Sequence, residues 1–326
     1  MSGWRLTPRE VFEERLDASD LIPEKLLPKS LSEILSIPIP LGLRRVRLSE
    51  LFEVSPLESD AKILFDGDCS GIDRLGGSMT SGRLQIRGNA GHGVGQSMQG
   101  GQIEVTGSVA EGAATDMRGG EILIAGNAGR RLGAPLPGER GGMRGGTLLV
   151  GGSLGAEALL RMRRGVVAVA GQAAEDGAHQ MIAGTIVLLS PCGGGWASGM
   201  RRGSIIAMDA SQPPSSSQAD GALWSDEQLL ELSFLPLLWN HLDDVLRRFG
   251  KRPEPPSAAP STNGRLVNDP TDKLADKLAG EANRQQPFHS AWPRTRWAFR
   301  QIGDLAVGGR GERLWLRRLP GITMNS

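Results

Sequence analysis

The chain has 326 residues, 37 basic and 36 acidic side chains, and a formal net charge of +1. That balance gives no electrostatic reason to expect nucleic acid or an acidic membrane surface as its main partner, and the length allows one long domain or two with a real core. Of its 46 glycines, 35 fall between Gly67 and Gly203 with no three-residue period, which points to a repeat architecture and excludes collagen. The two cysteines, Cys69 and Cys192, belong to no CxxC pair, so neither a disulfide framework nor a zinc site is expected. The first residues hold no apolar stretch of signal-peptide length, and no segment reaches the ~20 apolar residues of a membrane helix. A soluble, cytoplasmic protein without membrane or nucleic-acid partners is the expectation.

In chain order, residues 1–60 mix short apolar runs with prolines and predict a small strand-and-helix cap. From 61 to 210 a repeat takes over. Methionine marks its phase at Met79, Met98, Met117, Met143, Met162, Met181 and Met200, spaced by 19 except for one step of 26. Three residues after each Met stands a Gly, followed by two aliphatic residues separated by one, such as Ile103/Val105 and Ile122/Ile124. Alternation of this kind is strand chemistry. Small-residue turns follow ("GNAG" at Gly88 and Gly126, "GSVA" at Gly107), and glycine and asparagine suit such corners.

One strand per 19 residues, always in the same direction, predicts a parallel β-helix in which each strand pairs with its copy. The earlier stretch "ILFDGDCSG" at Ile63 reads as a first coil, which makes about eight coils. Between Met79 and Gly203 the one aromatic residue is Trp196, as a narrow interior requires. The fold class is all-β, with both ends of the stack in need of caps.

Residues 211–250 read as a linker and an amphipathic helix, with Ser225 as N-cap and Leu235, Leu238, Leu242, Val245 and Phe249 on its buried face. Residues 251–286 read as a disordered proline-rich linker. Residues 287–326 hold one or two strands and a tail.

The coil pattern MxGGxIxVxGNAG, with glycines at Gly88, Gly91, Gly95 and again at Gly126, Gly129, Gly133, resembles a β-helix found in two families. These are the C subunit of formylmethanofuran dehydrogenase and the C-terminal domain of the glutamate synthase large subunit. The flanks "ERLDASDLIPEKL", "VRLSELFEV", "FLPLLWNHL" and "GDLAVGGRGERLWL" resemble the first of these families, including its branch in the formyltransferase/hydrolase complex.

The resemblance, with the usual hand of parallel crossovers, implies a right-handed helix. It also implies a non-catalytic scaffold subunit in tetrahydromethanopterin- and methanofuran-linked (or methylofuran-linked) formaldehyde oxidation. Its implied partners are an amidohydrolase-like subunit, a formyltransferase subunit and a small dehydrogenase-like subunit. A molybdenum or tungsten formylmethanofuran dehydrogenase and a glutamate synthase-type brace are the alternatives.

Catalytic and metal-ligating residues are not identified in the chain. His92 and His179 fall in different columns of the repeat and lack metal-ligand spacing. The polar column Asn89, Ser108, Asn127, Ser153, Gln172 reads as a ladder satisfying turn backbones. The column after Met reads Thr80, Gln99, Arg118, Arg144, Arg163, Ile182, Arg201, and no lysine occurs between Met79 and Asp209.

Stacked arginines suit carboxylate or phosphate recognition. Arg118, Arg144, Arg163 and Arg201 are therefore candidates to dock an anionic partner surface or the polyglutamate tail that the resemblance implies. The plainer alternative pairs each with a nearby acid such as Asp116 or Glu121. The long step contains "GRRLGAPLPGERGG", a loop whose Pro135, Pro137 and Arg140 are expected to meet another subunit.

Overall fold

The computed structural model describes residues 3–12, 14–42, 44–58, 61–208, 228–249, 297–302 and 312–316. They fall in two compact units, Met1–Leu232 with Thr295–Ser326, and Ser233–Arg294. The proline-rich stretch 251–286, Ser225 and His289 lie outside the described residues.

In the first unit the chain begins with β1 (Gly3–Pro8), β2 (Leu16–Asp17), α1 (Pro23–Leu26), α2 (Leu31–Leu35), β3 (Pro38–Leu41), β4 (Arg44–Arg47), α3 (Leu48–Leu51) and β5 (Phe52–Leu57). It then enters the stack at β6 (Ile63–Asp66), with the short β7 (Ile72–Asp73) at its second corner. The stack continues as β8 (Arg83–Arg87), β9 (Gln102–Val105), β10 (Glu121–Ile124), β11 (Arg144–Val150), β12 (Arg164–Val169), β13 (Thr185–Leu188) and β14 (Ser204–Met208).

Each of β6 and β8 to β14 pairs in parallel with the next, and Leu84, Ile103, Ile122, Leu148, Val167, Ile186 and Ile205 stand in one row. These eight strands are the eight coils of a β-helix. Ile63 and Phe65 oppose Leu84 and Ile86, so the "ILFDG" stretch is the first coil.

The period follows from how one coil fits the next. Gly101, Gly120, Gly146, Gly165, Gly184 and Gly203 have φ between +83° and +120°, a region costly for side chains bearing a Cβ. Space forbids one as well. A Cβ on Gly101 would lie 2.5 Å from Met79 Cε, on Gly120 2.6 Å from Met98 Cε, and on Gly203 2.9 Å from Met181 Cε. Each Met therefore fills the place where the next coil's glycine lacks a side chain. At the first such glycine, Gly82, Pro23 of the cap stands 2.6 Å from the missing Cβ and takes the role of a preceding Met.

The polar column also works from coil to coil. Asn89 Oδ1 accepts from Ser108 N–H at 2.9 Å, Ser108 Oγ from Asn127 N–H at 3.0 Å, and Asn127 Oδ1 from Ser153 N–H at 2.8 Å.

The N-terminal end is closed by β1, parallel to β6 on one side and antiparallel to β5 on the other. There Phe12 packs on Phe52 and Phe52 on Phe65, ring to ring. A second small sheet, ordered β4-β3-β2-β7, ties the cap to the second corner of the first coil. Toward the C-terminal end β14 pairs in parallel with β17 (Glu312–Leu316). That strand carries β16 (Trp297–Ile302) and then β15 (Gln228–Glu231), both antiparallel. Among the described residues two strands thus arise from 287–326, and β17 extends the main sheet.

In the second unit the described element is α4 (Phe234–Phe249). It starts nine residues after the expected N-cap, because Gln228–Glu231 is spent on β15. Pro236 fits because it falls in the first turn, where a backbone N–H has no intrahelical partner. Leu235, Leu238, Leu242, Val245 and Phe249 are buried, together with Trp239 and Leu246.

Candidate functional site

The residue after each Met is held in place by the coil before it. The N–H groups of Arg118, Arg144, Arg163, Ile182 and Arg201 donate to the carbonyls of Met98, Met117, Met143, Met162 and Met181 at 2.6–2.8 Å. With Met inside and this N–H bonded along the stack, the following side chain faces outward. The column read from the sequence is therefore a physical row. Arg144, Arg163, Arg164, Arg201 and Arg202, with Ile182 and Ala183 between them, line a groove of about 590 Å³.

The row has two unlike ends. Asp116, itself 2% exposed, sits under Arg118 and Arg144, 3.0 Å from Arg118 Nη2 and 2.8 Å from Arg144 Nε. Arg144 Nη2 also lies 2.9 Å from Glu139 of the inserted loop. So Arg118 and Arg144 are paired with acids, and Glu139 is one that the spacing alone did not reveal. Glu121 accepts from Gln102 Nε2 at 2.8 Å.

Arg163, Arg164, Arg201 and Arg202 are exposed and have no carboxylate partner among the described residues. Like charges one coil step apart (~4.8 Å) repel by about 1 kcal/mol in water, and by several times that if an approaching surface lowers the effective dielectric toward ~20. An anion lying along the row removes that cost.

The inserted loop is folded back on the stack. Its Ala134 carbonyl accepts from Asp116 N–H, and Glu139 N–H donates to the Leu136 carbonyl at 2.9 Å. Pro135 is buried, while Pro137 and Arg140 are exposed. Of the three residues expected to reach a partner, Pro135 is turned inward as part of the loop's base.

A second groove of about 530 Å³ was not foreseen. The cap supplies Arg15 and Asp17, successive coils supply Asp73, Arg74, His92 and Glu111, and the loop supplies Pro135, Leu136 and Pro137. Arg15 pairs with Asp73 and Arg74 with Asp17. The signal was present, since Asp73, His92 and Glu111 each stand six residues before a Met. The cap residues that complete this groove follow no period.

Burial, with Asp68 and Asp66 nearby, pushes the Cys69 thiol up to about 12, far from a thiolate at neutral pH. Among the described residues no three His, Cys, Asp or Glu side chains converge as a metal site would need. No described helix is long and apolar enough to cross a membrane.

No family model matches the chain. Over 99 residues, 29% of its length, it is 40% identical to the C subunit of a tungsten-containing formylmethanofuran dehydrogenase from Methanothermobacter marburgensis. Over 90 residues it is 32% identical to the C subunit of a molybdenum-containing formylmethanofuran dehydrogenase from Methanosarcina barkeri. The matched part spans 37% and 30% of those relatives. A chain in the crystal structure of the formyltransferase/hydrolase complex from Methylorubrum extorquens, in complex with methylofuran, matches with a TM-score of 0.72 at 26% identity. That match covers 96% of this chain and 100% of the other. Over less than a third of its length the chain resembles formylmethanofuran dehydrogenase C subunits, and over nearly its whole length it resembles a chain of the formyltransferase/hydrolase complex.

Proposed function

We propose that the chain is a non-catalytic scaffold subunit of a formyltransferase/hydrolase-type complex, working beside subunits that carry a formyl group on a methanofuran-like cofactor and on tetrahydromethanopterin. The observation that carries this reading is the likeness over 96% of the chain to a chain of such a complex. The regular stack supports a bracing role, because a rigid row of coils holds outward columns at fixed spacing. Purification of the tagged chain from its native host, with mass spectrometry of what accompanies it, tests the proposal. Formyltransferase and amidohydrolase-like subunits are expected. Recovery of a molybdopterin-bearing subunit instead would favour the dehydrogenase, which the 40% identity to a polypeptide of the tungsten enzyme keeps in view.

Within that role the arginine groove holds an anionic chain, and the acidic tail of the furan cofactor fits it chemically. The donors are guanidinium groups, which bind carboxylates in pairs, and four of them lack a carboxylate partner among the described residues. The inserted loop, through Pro137 and Arg140, faces a neighbouring subunit. Replacing Arg118, Arg144 and Arg163 together by alanine would also strand buried Asp116. The cleaner test is Arg163→Ala with Arg201→Ala, which should lower cofactor retention while leaving the fold intact. Undiminished cofactor content would remove this part of the proposal.

A further inference from the structure

The inserted loop and the arginine row meet at one place, and the contact has a direction. Glu139 reaches Arg144 from the solvent side and is half-exposed, whereas Asp116 reaches the same guanidinium from below and is buried. The loop then returns across Arg163. A Cβ on Gly141 would lie 2.7 Å from Arg163 Nε and 2.8 Å from its Cδ, so the backbone lies flat on that side chain and limits where it points. Past Arg163, Arg201 and Arg202 are exposed.

We infer that the inserted loop sets one end of the groove, with Glu139 occupying on Arg144 the place that the terminal carboxylate of a bound chain would otherwise take. This rests on the reading of the groove as a site for a chain of carboxylates. Asp116 cannot play that part, because it is buried and holds two cations at once. Removing it would leave charges unpaired in the fold instead of freeing a position. Glu139 can, because an exposed ion pair contributes little and exchanges readily with other anions.

The geometry also fixes a length. Arg144 to Arg201 is three coil steps, ~14 Å at ~4.8 Å each, which about four residues of an extended chain cover at ~3.4 Å per residue. Ile182 and Ala183 interrupt the row midway. A bound chain therefore makes its charged contacts at Arg163/Arg164 and Arg201/Arg202, with Arg144 reserved by the loop.

The test uses the full chain, in the assembly in which it is recovered and after removal of any bound cofactor, and fluorescein-labelled hexa-L-glutamate as probe, read by fluorescence anisotropy. The native protein should bind the probe more weakly as salt rises from about 50 to about 200 mM. Glu139→Gln should tighten binding about two- to fivefold and steepen the salt dependence, because one more guanidinium meets the ligand. Glu139→Asp should behave nearly as the native chain. If Glu139→Gln leaves affinity unchanged or weakens it while Arg163→Ala with Arg201→Ala abolishes binding, the loop does not compete for Arg144 and the inference is overturned. If the double arginine variant binds as tightly as the native chain, the groove is not the site, and the reading beneath the inference falls as well.

Discussion

The four coils before the inserted loop and the four after it share one interior and differ outside. Inward residues such as Ile103 and Val105 in the first group, and Val167 and Val169 in the second, are equally buried. The outward residue between each pair changes character. Before the loop it is Leu64, Gln85, Glu104 and Leu123, so the polar pair stands in the second and third coils, with Gln85 Nε2 donating to Glu104 Oε2 at 3.2 Å, while Arg83 donates to Gln102. After the loop it is Leu149, Ala168, Val187 and Ile206, all fully buried. The column after Met changes too, from Thr80 and Gln99 to Arg118 before the loop and to Arg144, Arg163 and Arg201 after it. The interior is what the repeat needs in order to stack. The exterior is free to vary, and its variation divides the stack into regions with different work.

The sharpest way to break the shared interior is at the Met–Gly contact. Gly120→Val must meet both φ +86° and Met98 Cε at 2.6 Å from its Cβ, so a loss of about 3 kcal/mol is expected in urea denaturation. Gly138→Ala, at φ +83° but with nothing within 4 Å, should cost only about 1 kcal/mol. Equal losses would mean that conformation alone, without Met packing, fixes the period. The outer face gives the next contrast. Leu149→Ala should cost about 2–5 kcal/mol, as for any buried leucine, and Leu123→Ala, half-buried at the boundary, about 1 kcal/mol.

Acid and base should act differently on the two ends of the first region. Burial raises the pKa of Glu104, opposed by Lys62, Arg83 and Arg87. The folded chain therefore keeps that proton to higher pH than the unfolded chain does. The associated stability is present below the ordinary carboxylate value and is lost as pH rises through the raised one. Glu104→Gln should flatten that decline.

Glu24 and Asp73, which hold the cap to the stack, run the other way. Burial would raise both. It is outweighed at Glu24 by hydrogen bonds from Thr80 and Ser81, and at Asp73 by Arg15 and the His92 N–H. Their stability is present above the ordinary value and is lost as pH falls through the lowered ones. Hydrogen exchange on acidification should therefore loosen the cap before the later coils. Simultaneous loss along the whole stack would contradict this.

Much of this was readable from residues alone, because a stacked repeat converts spacing directly into contact. Met117, Gly120 and the Ile122/Ile124 pair have the same neighbours in every coil, so their roles follow from the period. What escaped depends on residues that do not repeat. Glu139 reaches Arg144 only because seven extra residues fold back instead of projecting outward. Arg15 and Asp17 meet Asp73 and Arg74 through a cap with no period. The strand at Gln228–Glu231 pairs with Trp297–Ile302, a partner nearly seventy residues away, while its leucines fit the helical pattern that follows. The outward leucine at 149 carried a visible signal, an apolar residue at a position that Gln85 and Glu104 fill in the second and third coils and Leu64 and Leu123 in the first and fourth, but alternation in one strand alone treats that position as solvent-facing.

The smallest expected effect separates structural from recognition arginines within one column. Arg144→Ala removes one of two cations from a carboxylate that is 2% exposed and should cost about 1–3 kcal/mol, since a buried charge is left partly uncompensated. Arg201→Ala removes an exposed side chain with no acid beside it among the described residues and should change stability by less than about 0.5 kcal/mol. Urea midpoints of the two variants measure the difference directly. If Arg201→Ala is as destabilising as Arg144→Ala, the row is a stabilising element along its whole length. If it is silent in stability and still lowers binding of an oligoglutamate, its guanidinium is held out for a ligand, and the column changes from structure to recognition between Arg144 and Arg163.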